Sequence, residues 1–132
     1  MDLDPFMKSL GFQGGVTGPG RARLTAELRQ EHLNNWGSAH GGFLFALADS
    51  AFALAANSHG DSRGDSQHPS HGPLAVSLGA HIEHLKPSQA GDILEATARE
   101  ISLTRHTGVY QVEIRRGEVL VALFTGTAYR KA

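Results

Sequence analysis

The sequence contains no cysteine, which excludes a disulfide scaffold, a thiol nucleophile and thiolate metal sites. It has no surplus of either charge: 12 lysines and arginines stand against 13 aspartates and glutamates, a formal net charge of -1. A nucleic-acid or anionic-membrane binder needs a basic surplus, so neither partner is expected. The N-terminus lacks a basic region followed by an apolar run, so no signal peptide is expected. No Gly-rich phosphate loop of the nucleotide-binding type is present. Neither a cofactor nor a metal is expected, and the absence of cysteine fits a cytoplasmic location. What remains is a chain of 132 residues with 40% hydrophobic and 19% charged residues, enough for one packed domain over 1–132. Sixteen glycines point to many turns and close backbone approaches.

Along the chain, residues 2–10 read as a short helical start, with Asp4 as cap and Pro5 at the first helical position. Residues 11–20 hold five glycines and a proline and read as strand edge and turn. In RARLTAEL, residues 21–28, Ala22, Leu24, Ala26 and Leu28 face one way and polar residues the other, the pattern of a half-buried strand. Residues 43–56 are rich in alanine and leucine, which favours helix. That helix is apolar almost all round, so it belongs in a core, and it falls short of the roughly 20 apolar residues of a membrane span. Residues 57–73 form a polar loop about 17 residues long, longer than most connections. Four strand-like runs follow, at 74–85, 92–104, 108–116 and 118–130. Short links between them suggest an antiparallel meander. The architecture expected is α+β: a curved antiparallel sheet wrapped around one long central helix.

Asp49 interrupts the apolar helix, and a buried ionised carboxylate without partners is costly. Either a neighbour such as Ser50 satisfies it, or it lines a cleft as acid, base or nucleophile, with burial raising its pKa. Immediately before the helix stands NNWGSAHGG, residues 34–42. Gly41 and Gly42 at a helix start leave main-chain N–H groups uncrowded, in the positive potential of the helix dipole. Such a place suits a carbonyl oxygen becoming an oxyanion. The same glycines also serve an ordinary strand-to-helix turn, and His40 either orients that turn or contacts substrate. Gly41 and Asp49 lie eight residues apart, about 12 Å along a helix. A carboxylate cannot reach back that far. If both act on one carbonyl they come from two chains, so the site predicts an obligate homodimer with antiparallel helices across a two-fold axis.

The pattern N-x-x-G-x-x-H-G-G (Asn34, Gly37, His40, Gly41, Gly42), followed by Asp49 nine residues after the histidine, resembles the hotdog-fold thioesterases. The likeness is greatest to the phenylacetate-degradation, PaaI-type, acyl-CoA thioesterases. AHGGFLFALADSAFALAANS at 39–58, TGVYQVEI at 107–114, VALFTGTAYR at 121–130 and HLKPSQAGD at 84–92 carry the rest of the resemblance. It implies a hotdog fold, dimers often paired into tetramers, and hydrolysis of an acyl-CoA thioester, with aryl-acetyl groups favoured. By position, Asp49 is implied as catalytic carboxylate, acting as general base or nucleophile. Gly41 is implied as main-chain donor with His40 beside it. Asn34 is implied to orient water or substrate from the opposite chain, and Ser77 to hold the water or the carboxylate.

Gly42 is a candidate substrate contact; Lys86 and Arg105, with Arg130, are candidates to hold the substrate's coenzyme A, although a strand-end cation is commonly a solvated surface charge. Phe43, Phe45 and Phe52 are candidates for an aryl pocket, with core packing expected for at least two. Two departures from the family pattern stand out. The 57–73 loop is long and carries His59, His68 and His71, whose spacing matches no standard metal site. His84 stands where an aromatic residue is common, which bears on the polarity of the acyl pocket. Two other functions compete: a hotdog dehydratase, with which the His40–Asp49 spacing is compatible, and a non-catalytic acyl-CoA binding module, which has no need of a buried carboxylate.

Overall fold

The structure, a computed structural model, describes residues 3–59 and 74–131. The chain starts in α1, Pro5–Ser9, where Asp4 accepts a hydrogen bond from the Met7 N–H at 2.9 Å and proline opens the helix. Two strands follow, β1 (Gln13–Gly18) and β2 (Arg21–Glu27), then a 3-10 turn at Gln30–His32. The alternation expected in β2 is present: Ala22, Leu24 and Ala26 are buried while Arg21, Arg23 and Glu27 are exposed. The long helix α2 spans Gly41–Ala56, and β3 (Ala75–His84), β4 (Ile93–Leu103), β5 (Thr107–Arg116) and β6 (Val119–Arg130) complete the chain. Each of these four strands lies within one residue of the boundaries expected from sequence. The six strands of the described residues form one sheet in the order β1-β2-β4-β5-β6-β3, every neighbouring pair antiparallel.

Helix α2 touches all six strands, as a sheet wrapped around it requires. Leu44, Leu47, Ala48, Ala51, Phe52, Leu54 and Ala55 of the helix are buried against Leu24, Leu94, Ala96, Val112, Ile114, Val121 and Phe124 of the sheet. Small residues on the sheet let the helix come close. A Cβ on Gly126 would lie 3.0 Å from the rings of Phe52 and Phe124, so a larger residue there would have to displace one of them. Phe52 in turn packs on Tyr110 and Phe124, with ring centroids 5.6 Å away in both pairs.

Both ends of α2 are tied to the rest of the chain. At the N-terminal end the Ala39 N–H donates to Ser88 O at 2.9 Å and the His40 N–H to His32 O at 2.8 Å. At the C-terminal end Asn57 is the cap rather than the first residue of a loop. Its Oδ1 accepts from the N–H groups of Leu74 and Ala75 at 2.7 and 3.0 Å, and its Nδ2 donates to Ala53 O and Ala75 O. This clamp starts β3 beside the end of the helix, and β3 then runs back along it until the His84 ring packs against Gly41. His68 and His71, expected on the 57–73 loop, lie outside the described residues.

Truncating the Asn57 amide leaves two main-chain donors without their acceptor, a loss of about 2 kcal/mol. Urea unfolding of Asn57→Ala is expected to show it, with Asn57→Asp, which keeps the acceptor, losing less. Equal midpoints for wild type and Asn57→Ala would mean that the clamp contributes nothing.

Candidate active site

Gly42, Phe45, Asp49 and Ala53 follow one another at intervals of three or four residues, so they lie on one face of α2. This face is the least covered part of the helix: Gly42 and Phe45 are exposed, and Asp49 and Ala53 half-buried. Asp49 is therefore at the margin of the core rather than sealed within it. No group among the described residues donates a hydrogen bond to it, Ser50 included. Burial without a compensating partner pushes its carboxyl above the ordinary value of 3.8, the direction expected from sequence.

Local sequence sets the start of the helix. His40 is its N-cap, and its Nδ1 accepts from the Gly42 N–H at 2.8 Å. The Gly42 N–H is thereby engaged within the chain. The Gly41 N–H donates to no group among the described residues, which leaves it open to a ligand oxygen. Asn34 braces the loop ahead of the helix: its Oδ1 accepts from the N–H groups of Trp36 and Ser38 at 2.9 and 3.1 Å. Gly37 completes that turn with φ +80°, where a side chain would be strained. Trp36, the only tryptophan, stands on the loop 85% exposed. Neither the loop geometry nor the exposure of Trp36 was legible in the motif.

The remaining candidates divide between the two ends of the fold. Lys86 lies just past β3, at the Gly41 end, and is exposed. Arg105 lies in the turn between β4 and β5, at the opposite end, so one chain does not bring the two together. Arg130 is near Arg105, and its guanidinium donates to Thr104 O at 2.6 Å. Ser77 is exposed on β3, paired with Ala128, and shares no hydrogen bond with Asp49 among the described residues. Phe43 and Phe52 are core residues, the former stacked on His32 with centroids 4.1 Å apart. Phe45 alone of the three reaches the open face, edge-on to Phe124.

One polar cluster was missed. Glu100 Oε2 accepts from Tyr110 OH at 2.9 Å and contacts His59 Nε2, near the C-terminal end of α2. Burial, followed by this hydrogen bond, holds the Tyr110 hydroxyl above its ordinary pKa. The signal was present in sequence: Glu100 continues the inward parity of Leu94, Ala96 and Ala98 on β4. It ties His59 and the end of the helix to the sheet. Among the described residues no group of three or more acidic or histidine side chains could hold a metal ion, and no helix is long and apolar enough to cross a membrane.

With this geometry in place, likeness to known proteins decides the family. A model of the thioesterase superfamily matches residues 37–122, the stretch from the Gly37 turn into the start of β6. The acyl-coenzyme A thioesterase PaaI of Escherichia coli is 38% identical over 128 residues, covering 96% of this chain and 83% of the relative. The chain belongs to the thioesterase superfamily. It is a thioester hydrolase of the PaaI type, and its sheet and helix form the hotdog fold expected from sequence. The structure of the E. coli PaaI protein matches it with a TM-score of 0.84 over 98% of this chain and 86% of that one. A variant of the phenylacetic acid degradation protein PaaI from Thermus thermophilus matches at 44% identity and a TM-score of 0.81, over 97% and 100% of the two chains. A further relative, from Archaeoglobus fulgidus, is 38% identical over 112 residues, which are 84% of this chain and 65% of that protein.

The raised pKa of Asp49 has a consequence for stability. A carboxyl whose folded pKa exceeds its unfolded value disfavours folding once it is ionised. The penalty is absent below the ordinary value of 3.8, grows above it, and is complete above the folded pKa. Asp49→Asn is therefore expected to melt at a higher temperature than wild type at pH 7, the difference closing near pH 3. A variant less stable than wild type at pH 7 would show that the carboxylate is stabilised by a partner.

Proposed function

We propose that this chain hydrolyses an aryl-acetyl-CoA thioester, of the phenylacetyl or hydroxyphenylacetyl type, to the free acid and coenzyme A. The observation that carries the reading is the pairing, on one apolar helix, of a partly covered carboxylate at Asp49 with the N–H of Gly41, both without a hydrogen-bond partner among the described residues. The names of the PaaI relatives support acyl-CoA as substrate and phenylacetic acid degradation as context. Phe45, exposed beside Asp49 and in contact with Phe124, supports an aryl group as the acyl part.

Gly41 and Asp49 sit about 12 Å apart on the same helix, so each active site takes Gly41 from one chain and Asp49 from the other. Two surfaces favour such a dimer. The Gly42–Phe45–Asp49–Ala53 face is open, and the neighbouring β3 is an end strand with an unpaired edge and Leu78 63% exposed. Two such dimers pair into a tetramer. Asp49 takes a proton from water as the water oxygen bonds to the carbonyl carbon, or attacks that carbon itself, in which case water afterwards hydrolyses the resulting anhydride to free acid and carboxylate. The Gly41 N–H holds the oxygen that gains the charge. The carbon–sulfur bond then breaks, and the CoA sulfur leaves with the electron pair. In this arrangement Asn34 turns its Nδ2 toward water or substrate, Ser77 holds the water or the carboxylate, and Lys86 and Arg105 meet the CoA phosphates from different chains.

The test is release of coenzyme A from phenylacetyl-CoA and from a straight-chain acyl-CoA, read with a thiol dye that the cysteine-free enzyme cannot confuse. Wild type is expected to prefer the aryl substrate, and Asp49→Asn to lose about 10³-fold while remaining folded and dimeric. The acid limb of kcat/KM should follow a single ionisation with its midpoint above 3.8, where Asp49 loses its proton. Binding without hydrolysis of any acyl-CoA would replace this reading with that of a binding module.

A further inference from the structure

A tetrahedral oxyanion is commonly held by more than one preorganised donor, yet the start of α2 offers a single free one. The His40 N–H donates to His32 O, the Gly42 N–H to His40 Nδ1, and the N–H groups of Phe43 and Leu44 to His40 O. Only the Gly41 N–H is open among the described residues. Beside it stands an imidazole from another element. The Cε1 and Nε2 of His84 each lie 3.4 Å from the place a Cβ on Gly41 would occupy. The ring therefore borders the same corner as the free N–H, and it makes no hydrogen bond among the described residues.

The backbone that carries this ring is held firmly. His84 pairs with Ala122 of β6, and the next two N–H groups, of Leu85 and Lys86, both donate to Val121 O at 2.8 and 3.1 Å. Two residues further on, Ser88 O accepts the Ala39 N–H, so the end of β3 and the start of α2 are fixed to each other.

We infer that His84, through its Nε2–H, is a catalytic residue: the second donor to the thioester oxygen held at the Gly41 N–H. The inference rests on the thioesterase reading above. As water oxygen bonds to the carbonyl carbon, the π pair moves onto the carbonyl oxygen, and the two N–H groups share that charge. His84 keeps its proton throughout. On collapse the carbon–sulfur bond breaks, the pair leaves with sulfur, and the proton taken up by Asp49 passes to the thiolate. The role requires only that the ring carry a hydrogen on Nε2.

His84→Phe keeps an aromatic ring and removes the donor, and His84→Gln keeps an N–H. Steady-state kinetics are joined to the infrared carbonyl band of a bound CoA ketone in which CH2 replaces sulfur. His84→Phe is expected to lower kcat about 10- to 100-fold with KM little changed. His84→Gln should recover part of that loss, and the ketone band should lie lower in wild type than in His84→Phe. An unchanged kcat, an effect on KM alone, or identical bands in the two proteins would overturn the assignment. The ketone band needs no turnover. If wild type hydrolyses no acyl-CoA, the thioesterase reading falls, while the band still decides whether His84 touches the oxygen. A ketone that does not bind overturns the assignment as well.

Discussion

The fold depends on covering one helix. Within Gly41–Ala56 the only polar side chains are Asp49 and Ser50, so nearly every face of α2 must be removed from water. A flat sheet covers one side of a helix. Contacts to all six strands are what an apolar cylinder demands. The demand reaches into the sheet's composition, where Ala96, Ala98, Gly126 and Ala128 keep the surface low enough for the helix to approach. Packing at this density leaves little freedom for the helix to slide or turn.

A helix buried along its length must resolve its polar groups at its ends, since the first N–H and last C=O groups lack partners within it. The two ends resolve this differently. The C-terminal end is closed: Asn57 bonds the start of β3, and Glu100 binds the Tyr110 hydroxyl and His59 nearby. At the N-terminal end His40 takes one N–H, the bond from Ala39 to Ser88 fixes the approach, and the Gly41 N–H is left over. Chemistry is possible where the satisfaction is incomplete. The same holds for Asp49, which lies on the stripe of the helix that the described residues cover least.

Much of this was legible because it is local. The Asp4–Pro5 start of α1, the parity of β2 and the strand limits all follow from neighbouring residues, and the Asn34–His40–Gly41–Gly42–Asp49 spacing identified the family. What was not legible depends on long-range placement. That the Gly42 N–H is taken by its own neighbour His40 depends on one rotamer. That Lys86 and Arg105 stand at opposite ends depends on the path of two strands. Glu100 could have been read from the parity of β4, but its partner His59 sits on a segment that sequence assigned to loop. His84 reads as an isolated polar substitution until β3 is seen to run back along α2.

The path of β3 joins these observations into one constraint. Asn57 fixes where the strand begins, and the pairing with β6 fixes its direction, so the position of His84 at the far end is determined by contacts at the near end. The register shift between Ser77 and Gly79 lies on that path and adjusts which side chains face the helix at its end. A strand with the opposite parity would carry the His84 ring to the other face and leave Gly41 bordered by Glu83 or Leu85. The corner at Gly41 is thus built by one helix and one strand that are held together at both ends. In the proposed reaction Asp49 comes from a second copy, because a rigid helix keeps it about 12 Å from the Gly41 of its own chain.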